Sequence, residues 1–240
     1  VYKRQLVARL QDTLSSDQAT RDAAEQYLAH ETLPKSGTDD VLGVQLAQIL
    51  SEASLSLFVR QAAAIALKKY VRKRWSIFFD TFTQDMVVNG IVQTVDATPV
   101  EAKEHIRTSL LACLCDAEPK VRSQASDILS LISSCDFPDH FPQLLPTLQA
   151  YLHSYTEQDA HAAYKVHGAM KFLLDLVHVE LDENQLLMVA QQLVPLLQGI
   201  VSSSSDWITP HTRARCINVF HQCLISLYMA KDTYVDTVHM

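Results

Sequence analysis

Apolar residues recur along this chain at intervals of three and four, the spacing that lines one face of an α-helix. Leu6, Val7, Leu10 and Leu14 make the first stripe, which fades at Ser15 and Ser16. Asp17 is a ready N-cap for a second helix bearing Ala23, Ala24, Tyr27, Leu28 and Leu33 up to Pro34, because its carboxylate can accept from free backbone N–H groups of the first turn. Thr38, Asp39 and Asp40 are candidate caps of a third helix, with Val41, Val44, Leu46, Ile49 and Leu50 on its face. A fourth is expected over 58–75, apolar at Val59, Ala62, Ala63, Ala66, Leu67, Tyr70 and Val71. Segment 76–97 breaks the rhythm with Phe78, Phe79 and Phe82 and reads as a loop holding one short helix.

After that break the helices return in pairs. First helices are expected to open at Pro99, Pro138 and Asp182, and their partners near Lys120, Asp159 and Pro210, since proline is favoured at a helix start. A pair recurring every ~40 residues matches HEAT or armadillo repeats and is too long for tetratricopeptide or ankyrin units. The expected fold is therefore all-α, a solenoid of antiparallel helix pairs. Val59-Arg60 and Val121-Arg122 both open second helices, and Thr212-Arg213-Ala214-Arg215 sits at the matching place. Such an arginine either reaches a carboxylate near the turn of the neighbouring repeat or stands in solvent, where it contributes little.

Composition removes several function classes. With 240 residues, 48% hydrophobic and 20% charged, the chain can bury a sizeable core. Its 5 glycines are too few for the glycine-rich loops that cradle phosphates. A net charge of -7 argues against direct nucleic-acid binding, which calls for a basic face, and suits basic partners. The acidity is uneven: residues 1–135 carry 15 basic and 16 acidic groups, and residues 136–240 carry 5 and 11. Five cysteines, an odd number with no leader before them, point to a reducing compartment. Cys113 and Cys115 stand too close for a zinc pair, and no apolar run approaches the ~20 residues of a membrane span.

Catalytic arrangements are not found either. The run from Ser202 through Ser205 lacks a nucleophile elbow and reads as a flexible turn. His161, His167 and His178 share no i, i+4 face, and Glu101 and Glu104 fall in a first helical turn, where carboxylates complement the dipole. No enzyme activity, cofactor or metal is expected. The sharpest charged feature is Lys68, Lys69, Arg72, Lys73 and Arg74, in the last turns of the 58–75 helix. Cations there offset the macrodipole, and helical geometry places Lys68 and Arg72 on one face, opposite Ala63, Ala66 and Tyr70. The chain runs from Val1 to Met240 with neither a cap nor a polar tail and is expected to be a piece of a longer one.

One segment is more specific than generic repeats. Asp136-Phe137-Pro138-Asp139-His140-Phe141-Pro142-Gln143-Leu144 resembles the Asp-Trp-Pro-x-x-Trp-Pro-x-Leu signature of importin-β family transport receptors, with phenylalanine in place of both tryptophans. Ala24-Glu25-Gln26-Tyr27-Leu28, Leu46-Ala47-Gln48-Ile49-Leu50, Val59-Arg60-Gln61-Ala62-Ala63 and Leu67-Lys68-Lys69-Tyr70, closing on Trp75, resemble that family's N-terminal domain in the right order. Val166-His167-Gly168-Ala169-Met170, Leu193-Val194-Pro195 and Thr212-Arg213-Ala214-Arg215 are similar to the importin-9 branch. At the signature, Pro138 is expected to open a helix capped by Asp136, with Phe137 and Phe141 packed on the preceding repeat.

The resemblance implies a superhelix: an importin N-terminal domain with the first two repeats over 1–75, an insertion over 76–97, and further repeats over 98–240. It implies binding of Ran-GTP by second helices of the first repeats, with Lys68, Lys69, Arg72 and Lys73 as candidates. It also implies basic cargo such as core histones and ribosomal proteins, docking of Phe-Gly nucleoporins, and shuttling between cytoplasm and nucleus. Asp159, Asp175, Glu180, Asp182 and Glu183 are the candidate cargo contacts in the acidic half. Repeat patterns alone leave two rivals open, an exportin of the same family and a HEAT scaffold of a phosphatase or kinase complex.

Overall fold

A computed structural model describes residues 2–32, 41–76, 79, 85–88, 91–94, 98–157, 160–178 and 181–238. Their helices follow one another as pairs: α1 (Tyr2–Asp12) with α2 (Gln18–Glu31), α3 (Leu42–Ser51) with α4 (Leu57–Arg74), α5 (Val100–Cys113) with α6 (Pro119–Asp136), α7 (Leu144–His153) with α8 (Ala160–His178), and α9 (Glu183–Ser202) with α10 (Pro210–Val238). First helices begin about 40 residues apart, as the apolar period predicts, except between α3 and α5. The chain divides into two compact units, Val1–Leu129 and Ser130–Met240.

An antiparallel hairpin, β1 (Asp85–Val88) with β2 (Ile91–Thr94), lies between α4 and α5. Here the expected short helix is wrong. Val87, Val88, Ile91, Val92 and Thr94 are β-branched and flank Asn89-Gly90, the strongest short-range hairpin signal, and that signal outweighs apolar spacing. The base of the insertion is closed by Thr98, whose backbone N–H donates to Arg74 O at 2.8 Å. The Thr98 hydroxyl donates to the same carbonyl at 2.9 Å and lies 3.0 Å from the Tyr70 hydroxyl. Trp75, fully buried, lies under Lys103 and Arg107 of α5, 5.1 and 5.6 Å from its ring centre. These contacts return the chain to the repeat after the hairpin.

Caps follow the sequence in part. Asp17 opens α2 by accepting from Thr20 N at 2.9 Å, and hydrogen bonds from the Thr20 hydroxyl and N–H hold its carboxyl below the usual range. Ser56 caps α4, Pro99 stands at the N-cap of α5, and Asp182 forms a full capping box with Gln185 at α9. At α3 the N-cap is Val41 with no side-chain bond, so the expected capping by Thr38, Asp39 or Asp40 does not occur at that position; those three lie outside the described residues. The expected opening of a helix at Pro138 also fails. α6 runs through to Asp136, Phe137-Pro138 is a cis peptide, and residues 137–140 form a turn in which His140 N–H donates to Asp136 O at 2.8 Å. Asp136 therefore closes one helix, and α7 starts only at Leu144. Phe137 and Phe141 are buried, as expected.

A recurring clasp closes the helix pairs. Arg21, Arg60, Arg122 and Arg213 each occupy the fourth residue of a second helix and donate backwards to a carbonyl at the end of the first helix or its turn. Arg21 bonds Ser15 O at 2.6 Å, Arg60 bonds Leu50 O at 2.7 Å, Arg122 bonds Ala117 O at 2.9 Å, and Arg213 bonds Ser203 O at 2.7 Å. A guanidinium suits this place because the last carbonyls of a helix lack partners and carry partial negative charge. Arg60 does more: it is buried and pairs through Nη2 with Asp116 in the turn between α5 and α6, the neighbouring repeat. The expected reach to a neighbouring carboxylate holds for Arg60, whereas Arg122 and Arg213 bond their own turns.

The apolar faces meet as the spacing predicts. In the first unit Leu6, Leu10, Leu46, Leu50, Leu67 and Leu110 are fully buried, or nearly so. Gly43 on α3 is needed there, since a Cβ would come within 2.5 Å of the Tyr70 ring. In the second unit Leu148, Phe172, Leu173, Leu193 and Ile200 form the corresponding core. Within α9, Asn184–Ser202 is long and apolar enough to cross a membrane, contrary to expectation. The stretch is nevertheless two-faced: Leu186, Val189, Leu193, Leu197 and Ile200 are buried while Gln191, Gln192 and Gln198 are exposed.

Two outcomes test this architecture. Arg60→Ala should lower stability by about 3–5 kcal/mol, because it strands Asp116 in a largely buried site. The denaturant midpoint should fall with its slope unchanged, and a loss within ~0.5 kcal/mol, the range of ordinary surface substitutions, would remove the clasp from the stability argument. Phe141→Ala should cost about 3–5 kcal/mol through its cavity and bring new proteolysis between Ile132 and Pro142. Wild-type melting and protection in that window would instead make the aromatic pair dispensable.

Candidate functional site

The first unit carries a cleft of about 660 Å³ between the end of α1, α2 and α4. Two opposed helical faces shape it. From α2 come Glu25, Leu28, Ala29 and Thr32, and from α4 Phe58, Gln61, Ala62, Ile65, Ala66, Lys69, Arg72 and Lys73. Both sets follow helical spacing. The cleft is open because Ala29, Ala62 and Ala66 present little bulk where leucines would fill it. Leu14 at the α1 end, Phe58 and Ile65 are 51%, 66% and 56% exposed, a grouped apolar surface of the kind that marks binding sites.

Charge is arranged along the same cleft. Lys69, Arg72 and Lys73 line the end near the C-terminus of α4, and Glu25 stands on the α2 wall. Lys68 sits apart from them, 4.0 Å from Asp127 of α6. Both side chains are about two-fifths exposed, so the pair contributes roughly 0–1 kcal/mol. The structure thus divides the expected cationic run: three members line the cleft, and Lys68 faces α6. It also corrects the placement of Ala66 opposite Arg72, since both line the cleft.

The acidic candidates are not gathered into one patch among the described residues. Asp175 is ion-paired with Lys171 one turn earlier on α8, and Asp182 is engaged in the α9 capping box. Glu183 is the first residue of α9, while Asp159 and Glu180 lie outside the described residues. No group of three or more His, Cys, Asp or Glu side chains that could hold a metal occurs among the described residues. The cysteines are free thiols. Burial, with the nearby Asp116 charge adding to it, pushes the Cys113 thiol up to about 12, so it is a packing group with little thiolate character.

Sequence reasoning missed the apolar half of the cleft. Leu14, Ala62 and Ala66 were assigned to core stripes, and Phe58 and Ile65 to none. The signal was present in α4, whose apolar positions 58, 62, 65 and 66 make a second face beside the buried 59, 63, 67 and 70. A helix apolar on two faces must cover both.

Residues 24–116, which hold most of this cleft, match the family model of the Importin-beta N-terminal domain. That defines the class by its fold: an all-α HEAT-repeat chain in which residues 24–116 match this domain. Among curated proteins the chain is 28% identical over 193 residues to importin subunit beta-5 of Schizosaccharomyces pombe, covering 80% of this chain and 18% of that protein. It is 27% identical to exportin-2 of Drosophila melanogaster (58% of this chain, 13% of that protein) and 24% identical to importin-9 of the same organism (94% and 20%). The fold superimposes on Kap95p, a protein whose binding induces the switch loops of RanGDP to adopt the GTP-bound conformation, with a TM-score of 0.61 at 14% identity over 98% of this chain and 25% of that one. The chain thus spans at most a fifth of the length of these curated relatives.

Proposed function

We propose that this chain is the N-terminal region of a karyopherin-β nuclear transport receptor, and that its first helix pairs bind Ran in the GTP form. The observation that carries this reading is the cleft itself: an importin-beta N-terminal domain in which exposed Leu14, Phe58 and Ile65 adjoin Lys69, Arg72 and Lys73. Apolar anchors supply affinity at such a surface, and the cations speed encounter and set orientation. The receptor would shuttle between cytoplasm and nucleus. Weak docking of Phe-Gly nucleoporin segments gains avidity from multivalency, and exposed Val41, Val100 and Leu187 at first helices support it.

Lys69→Glu with Lys73→Glu should weaken capture of Ran-GTP by about tenfold or more, equivalent to ~1.4 kcal/mol, with little change in melting. Lys68→Glu should do less, because Lys68 faces Asp127. Pull-down with Ran loaded with GTP or GDP is the direct measurement. Equal binding of both forms, or of neither, would sink the reading and favour a HEAT scaffold.

Cargo is proposed to be basic, core histones and ribosomal proteins being the clients that likeness to importin-9 suggests, held by the acidic half. Engagement of Asp175 and Asp182 within the fold shifts the weight from particular contacts to the field of residues 136–240. Exposed charges farther apart than a Debye length of ~8 Å are screened at physiological salt, so affinity for a histone should fall steeply between low and high salt. A flat response would contradict it. The exportin reading draws support from the exportin-2 relative and differs in linkage: Ran-GTP would strengthen cargo binding in an exportin and release cargo from an importin.

A further inference from the structure

Between α9 and α10 the chain passes through four consecutive serines, Ser202 to Ser205, followed by Asp206. Nothing in the transport reading uses them. Ser203 is the C-cap of α9 in an extended conformation, φ -65 and ψ 140, and residues 203–205 have no regular secondary structure. Its hydroxyl is held locally, donating to the Ser205 hydroxyl at 3.1 Å and accepting from Ser205 N–H at 3.2 Å. Its carbonyl accepts from Arg213 Nη2 at 2.7 Å. A guanidinium from the first turn of α10 therefore already bonds the carbonyl of the residue that carries that hydroxyl.

Ser203 alone of the four has an acidic residue three places on: Asp206 follows it, whereas Ser205, Trp207 and Ile208 follow the others. We propose that Ser203 is a phosphorylation site for an acidophilic serine kinase, which reads the exposed Asp206 carboxylate, and that Arg213 receives the phosphate. In the transfer the Ser203 oxygen attacks the γ-phosphorus of ATP and the bond to the β,γ-bridging oxygen breaks. ADP leaves with that electron pair, and the hydroxyl proton passes to the kinase's base. The product adds about -1.5 to -2 of charge to the half of the chain that already carries 5 basic and 11 acidic groups. Placed at the C-terminus of α9, the phosphate is opposed by that helix's carbonyls and is offset by charge-assisted bonds from Arg213.

The test incubates the full chain with ATP and an acidophilic serine/threonine kinase and localises phosphate by mass spectrometry. One phosphate on Ser203 is expected, absent in Ser203→Ala and incorporated at least tenfold more slowly in Asp206→Asn. Phosphate on Ser202 or Ser204 instead, none on the folded wild type, or an unchanged rate in Asp206→Asn would overturn the site. Phosphorylation should lower the melting temperature of Arg213→Gln more than that of the wild type, and equal shifts would remove Arg213 from it. The wild-type result stands even if a variant fails to fold. Since the assay contains no transport partner, its failure leaves the Ran reading untouched.

Discussion

The arginine at the fourth position of a second helix is the contact on which the helix pairs depend. Each pair must reverse direction within a few residues, which leaves the last carbonyls of the first helix without intrahelical partners. Arg60 supplies a donor to that end at Leu50 O, while Arg21, Arg122 and Arg213 donate to carbonyls just past it, at Ser15, Ala117 and Ser203. One residue type serves each turn, because the same group ties the connection after the first helix to the first turn of the second. Lysine could supply charge but not the planar fork with which Arg60 bonds Leu50 O and Asp116 together. The α7/α8 pair lacks the arginine, having Ala163 at that position, and its turn carries instead a 3.5 Å ion pair from Lys165 to Glu157.

Much of this was readable from the sequence, and the reasons for the rest are physical. Helix pairs follow from apolar spacing because burying one face is the dominant favourable contribution to folding. The Arg60, Arg122 and Arg213 positions were visible as a recurring motif, but their acceptors are backbone carbonyls, which no side-chain pattern announces. Asn89-Gly90 between β-branched runs announces a hairpin, whereas the expectation for the segment is a loop with one short helix. Pro138 misled as well. Proline marks a helix start only when the preceding chain has left the previous helix, and α6 holds its geometry through to Asp136.

The candidate site was half legible. Cations cluster openly in sequence, so Lys69, Arg72 and Lys73 could be found, whereas their apolar neighbours could not be told from core residues by type. Ala62 and Ala66 match Ala63 in type; what sets them apart is that they fall with Phe58 and Ile65 on a second apolar face of α4. Acidic residues posed the reverse difficulty. Asp175 looks like free surface charge in sequence, yet it is spent on Lys171, and Asp182, read both as a helix opening and as a cargo contact, is spent on the helix cap.

That division of labour among charges separates two ways of holding a partner. On α4 the cations border a cleft with its own apolar surface, so a partner there gains area as well as attraction, and the geometry admits a shaped surface in one orientation. In the acidic half several carboxylates are already committed to the fold, and what is left for a ligand is a diffuse field. A diffuse field attracts many basic surfaces and specifies none of them, and it yields to salt or to a competing charge. Under the proposed function, a shaped cleft in the first unit and a diffuse field in the second would let one fixed signal act on clients that differ from one another.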